Sequence, residues 1–151
     1  MVVLLGSLII TYLRLEIGRG VVSTTEKWAA RLTFSIYLGW ITVATIANIT
    51  DLLDYLKWDR FGIAPEIWMG IVLAAVLVIA VLMNITRRDV AYGLVILWAL
   101  AGISINHANI QAVAIPTWIT FGLVALSLVL ALYLPRVPFA PKSIQNMERD
   151  V

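Results

Sequence analysis

The chain has 151 residues, 62% hydrophobic and 13% charged, with a formal net charge of +2, one histidine and no cysteine. Soluble domains hold roughly 45–50% apolar and about 25% charged residues, so this balance excludes a water-soluble globule in favour of a membrane protein. The missing cysteine excludes disulfides, thiolate metal sites and a cysteine nucleophile. Basic residues confined to short loops between apolar runs exclude a nucleic-acid-binding stripe.

The first apolar run, Val2–Leu13, rises only about 18 Å as a helix and is too short to span alone. No Lys or Arg precedes it and no small-x-small cleavage site follows, so it reads as a short or truncated membrane helix and not a leader. Four longer runs follow at Leu32–Leu53, Ile67–Thr86, Val90–Asn106 and Trp118–Leu134. Each approaches or exceeds the roughly 17–25 residues that cross a hydrocarbon core. The prediction is an all-α integral membrane bundle of about five transmembrane helices over residues 1–135, with a short cytoplasmic tail over 136–151.

Loop charge gives the orientation. With five crossings, Arg14, Arg19, Lys27, Arg31, Arg87, Arg88, Arg136, Lys142 and Arg149 all fall on one side. The positive-inside rule makes that side cytoplasmic, with the N-terminus outside and the C-terminus inside; the membrane expected is a bacterial-type inner membrane. The outer loop Asp51–Glu66 carries Asp51, Asp54, Asp59 and Glu66, which predicts an acidic mouth. Pro65 and Pro116 suit the first turns of their helices, where a missing N–H costs nothing. Asp89, after "TRR", suits a helix cap in a tight antiparallel hairpin.

The run Ser35–Asn48, "SIYLGWITVATIAN", is apolar enough for lipid yet holds Tyr37, Trp40 and Asn48. At 100° per residue, Tyr37, Trp40, Ala44, Asn48 and Asp51 share one face. An amide cannot face hydrocarbon unbonded, so Asn48 is expected against protein, water or ligand. It reads either as glue between helices or as a polar anchor in a cleft. In segment four, Tyr92, Val95, Ala99, Gly102 and Asn106 share a face flanked by Trp98; in segment five, Trp118, Gly122, Ala125 and Val129 do so. Such small-residue faces serve close packing or make room for a flat ligand. Trp28, Trp58, Trp68 and Trp118 lie near helix ends, as an interfacial belt requires, whereas Trp40 and Trp98 lie deeper and suit packing or stacking on a planar molecule.

His107, within "NHANIQ", reads as a solvated outer-loop residue, with axial ligation of haem the sharper alternative. No ordered metal-ligand spacing, nucleophile elbow, P-loop or dinucleotide fingerprint occurs, and the membrane cores lack a chain of acids, so neither an enzyme nor a proton pump is expected.

The stretch "TFSIYLGWITVATIAN" and the later "RRDVAYGLVILWALAGI" together resemble the tryptophan-rich sensory proteins of the TspO/MBR translocator family, over roughly Arg31–Leu134. The resemblance implies a five-helix bundle, often dimeric, with a cleft for porphyrins, haem or sterols. On it, Tyr37, Trp40, Asn48, Trp98 and Trp118 become the expected ligand-binding residues. The family's Trp-Pro motif after its first helix is replaced here by "LEIGRGVVSTTEKW". The expected function is a membrane binding or sensory protein for a planar hydrophobic ligand. A small accessory subunit of a larger membrane complex is the second reading, and a small transporter the third.

Overall fold

A computed structural model describes residues 1–14 and 31–133. Trp28, Arg19, Lys27 and the whole segment expected to replace the Trp-Pro motif lie outside the described residues, as do the tail and its prolines. Among the described residues are five α-helices: α1 (Val2–Arg14), α2 (Leu32–Tyr55), α3 (Pro65–Arg87), α4 (Val90–Asn106) and α5 (Gln111–Tyr133). A single 3-10 turn, Arg60–Gly62, interrupts the outer loop. Three of the helices, α2, α3 and α5, are long and apolar enough to cross a membrane. At 17 residues α4 reaches roughly 25 Å, and α1, at 13, reaches about 20 Å.

The packing follows from the connections. The two residues between α3 and α4 force an antiparallel hairpin, closed by Arg88 in the left-handed conformation at φ 51°. Asp89 caps α4, its carboxylate accepting from the Tyr92 N–H at 3.1 Å, as its position in the sequence requires. Pro65 opens α3 at the first turn. Helices α3, α4 and α5 pack against one another, α2 packs on α4, and α1 lies along α2. The core runs through Leu38, Ile41, Leu73, Tyr92, Ile96, Leu100 and Val124. Around the perimeter Ile71, Val78, Leu94, Leu126 and Leu132 are exposed, the surface that acyl chains tolerate and water does not.

Two expectations are corrected. Pro116 does not open the fifth helix, because α5 begins at Gln111 and holds the proline inside it. Membrane helices tolerate such a proline where hydroxyls re-engage nearby carbonyls. Here Thr117 donates to the Val113 carbonyl at 2.7 Å and Thr120 to that of Pro116 at 2.9 Å. Trp118 consequently lies two turns inside the helix and not at its end.

The second correction concerns α2. Its buried face is Ser35, Leu38, Gly39, Ile41, Thr42 and Thr45, not the aromatic-and-amide stripe. Thr42 and Thr45 donate to the carbonyls of Leu38 and Ile41, so their hydroxyls are satisfied within the helix and can be buried. Gly39 brings α2 against α4, where a Cβ would stand 3.0 Å from that of Val95. A Cβ at Gly102 or Gly122, on faces read as close-packed or as room for a flat ligand, would meet nothing within 4 Å, so neither glycine serves a close helix contact.

Candidate functional site: an outer cavity with an acidic rim

The two ends of the bundle differ in how their polar groups are engaged. At the α3–α4 hairpin, the Tyr12 hydroxyl donates to the Asp89 carboxylate at 2.7 Å, while Arg87 lies over the Tyr12 ring at 5.8 Å. One turn deeper, the Asn84 amide, fully buried, donates to the Ser127 hydroxyl at 2.9 Å and ties α3 to α5. Gly93 makes this possible, since a Cβ there would lie 2.8 Å from the Asn84 Oδ1. This end is closed.

The opposite end encloses a cavity of about 500 Å³. Its walls come from α2 (Val43, Ala47), α3 (Met69, Leu73) and α4 (Ala99, Ile103), with Ala112 and Val113 of α5 behind. The walls are apolar, and the polar groups gather at the rim: Thr50, Asp51, Arg60, Glu66 and His107. Trp68 also lines the cavity, held edge-on to Trp58 at 4.9 Å, with Phe61 edge-on to Trp58 in turn. The left-handed residues Arg60 and Phe61 bend the outer loop so that the Arg60 guanidinium meets Asp54 at 2.9 Å.

The residues singled out by sequence fall elsewhere. Trp40 and Trp98 are brought together, ring centroids 5.0 Å apart and edge to face. They line a shallow groove of about 390 Å³ with Ile36, Leu94 and Val95, on the outside of the α2–α4 seam. Trp40 is 43% exposed, Trp98 63%, Tyr37 45% and Trp118 47%. Tyr37 is not among the groove's lining residues, and Trp118 pairs with Phe121. Asn48 is exposed, and its amide donates to the Ala44 carbonyl of its own helix at 2.7 Å. That bond is how an outward asparagine avoids being unpaired. Of the α2 stripe only Asp51 reaches the cavity.

Three cavity residues were read differently from the sequence. His107 lies in the turn after α4 as expected but is half-buried, its Nδ1 3.1 Å from the Ile103 carbonyl. Trp68, placed in the interfacial belt, is also a cavity wall. Ala99 was grouped with a small-residue face but stands beside the cavity without Gly102. No side-chain pattern marks Val43, Ala47 or Leu73, which are ordinary membrane-helix residues.

The fold is that of an integral membrane bundle with a half-open, largely apolar cavity whose polar lining groups gather at one end. Within that class the chain belongs to the TSPO-like protein family, whose model matches residues 1–132 and so includes every helix that builds the cavity. Searches of curated proteins and of solved structures find no match.

Proposed function

We propose that this chain is a membrane binding or sensory protein that holds a planar apolar small molecule in the cavity between α2, α3 and α4. What supports the reading is the cavity itself: its volume of about 500 Å³ lies within the roughly 300–1,000 Å³ of small-molecule sites, and apolar walls meet polar groups only at the rim. The mouth lies outside and the hairpin end in the cytoplasm, following loop charge. No covalent step is assigned to any residue.

Among planar guests, the rim suits a sterol-like molecule better than a tetrapyrrole. Porphyrins and haem carry carboxylates, which would leave the lipid beside Asp51 and Glu66. The cation that could receive one, Arg60, is bonded to Asp54. Those residues do not fit a tetrapyrrole, and no step is derived through one.

The Trp40–Trp98 groove favours a second reading, in which the chain is an accessory subunit and this exposed aromatic pair receives a partner's helix. One experiment separates the two. The purified chain in uncharged detergent is titrated with dehydroergosterol while energy transfer from tryptophan is followed. Saturable transfer that Ala99→Phe abolishes and Trp68→Phe diminishes is expected. Unchanged binding in Ala99→Phe would overturn the cavity reading, and absence of saturable transfer together with stable co-purified subunits would favour the accessory role.

A further inference from the structure

Hydrogen-bonding capacity at the rim is one-sided. Asp51 and Glu66 are exposed carboxylates, acceptors only, and among the described residues neither is in an ion pair. The Thr50 hydroxyl directs its proton to the Ile46 carbonyl at 3.0 Å, which leaves its lone pairs toward the mouth. A carbonyl can only accept, so the His107 Nδ1 beside that of Ile103 carries a ring proton, which is spent on its own helix. The single cationic rim group, Arg60, has its charge offset by Asp54. The rim therefore presents acceptors and net negative charge to whatever projects from an apolar chamber.

Resting on the cavity reading above, we propose that the molecule held there bears a basic nitrogen: an apolar amine whose ring system fills the cavity and whose ammonium group lies at the rim between Asp51 and Glu66. An ammonium is a cation with donors and no acceptor, the complement of this rim. Trp68, also in the cavity lining, is an aromatic ring to which such a charge is attracted. An acid would meet like charge, and an alcohol would satisfy one or two acceptors while leaving the carboxylates uncompensated. A phospholipid headgroup brings its own phosphate against the same acids, so the guest is an apolar ring system bearing an amine and not a phospholipid.

The test uses three dansyl amides of one size, with aminopropyl, hydroxypropyl or carboxyethyl arms, added to the full chain in uncharged maltoside micelles. Energy transfer from tryptophan gives each dissociation constant. The amine is expected to bind at least about tenfold more tightly than the alcohol, with the carboxylate weakest. The double variant Asp51→Asn, Glu66→Gln collapses the three affinities onto one another. Arg60→Ala, which frees Asp54, tightens amine binding; this gain cannot come from misfolding. Equal affinity of amine and alcohol for the native chain, or tighter binding of the carboxylate, would overturn the inference while leaving the cavity reading intact. Failure of all three probes to bind saturably, or indifference of all three to Ala99→Phe, would remove both.

Discussion

The hairpin end and the cavity end are built from the same kinds of residue put to opposite uses. At the hairpin, a carboxylate, a phenol and an amide are buried and bonded between helices: Asp89 takes bonds from Tyr12 and from the α4 N-terminus, and the Asn84 NH2 reaches Ser127 past Gly93, while its Oδ1 stays buried without a bond. At the mouth, Asp51, Glu66 and His107 surround an apolar chamber with their acceptors directed to no other helix. Between helices already surrounded by lipid there is little hydrophobic drive to associate, so bonds such as those at the hairpin and close van der Waals contact hold the bundle. The comparison teaches that one end supplies the cohesion that lets the other stay open.

Breaking the closed end should have the largest effect. Asp89→Ala removes a cap and leaves the Tyr12 hydroxyl without its acceptor, and a loss of about 2–3 kcal/mol is expected in thermal or denaturant unfolding in detergent. Gly93→Val follows: its Cβ would press on Asn84 and Leu128, costing roughly 1–3 kcal/mol, whereas Gly102→Ala, with open space around it, stays within about 0.5 kcal/mol. If the two glycine substitutions cost the same, the close approach at Gly93 is wrong. Sharpening the comparison from the other side, Ala99→Phe should leave unfolding within about 1 kcal/mol of the native chain while abolishing sterol binding. The smallest effect belongs to Asn48→Ala. Its amide is exposed and bonded to its own helix, so stability should shift by less than about 0.5 kcal/mol and sterol affinity by less than about twofold.

Much of the architecture was legible because lipid imposes it. Helix number, the shortness of α1, the tight hairpin, the Asp89 cap and the Pro65 start all follow from apolar length, turn chemistry and the needs of helix ends. The inward face of α2 was not legible. In a soluble helix the apolar stripe marks the core, but a membrane helix is apolar all round, so the wheel carries no such contrast. On such a wheel Tyr37, Trp40 and Asn48 stand out only by their residue type. The residues that pack inward are Ser35, Thr42 and Thr45, whose size allows close approach and whose hydroxyls can be satisfied locally. Of the proposed site only the acidic charge of the outer loop was legible, and of its acids Asp51 and Glu66 line the cavity; the other walls are side chains that any membrane helix could carry.

Pro116 has one more consequence. Lacking an N–H, it cannot donate to the Ala112 carbonyl, so the opening turns of α5 are fastened to the remainder by one backbone bond fewer. Ala112 and Val113, on that weakened stretch, are the cavity's side wall toward α5. A molecule held as proposed would thus rest against the one stretch of α5 whose backbone ladder is incomplete.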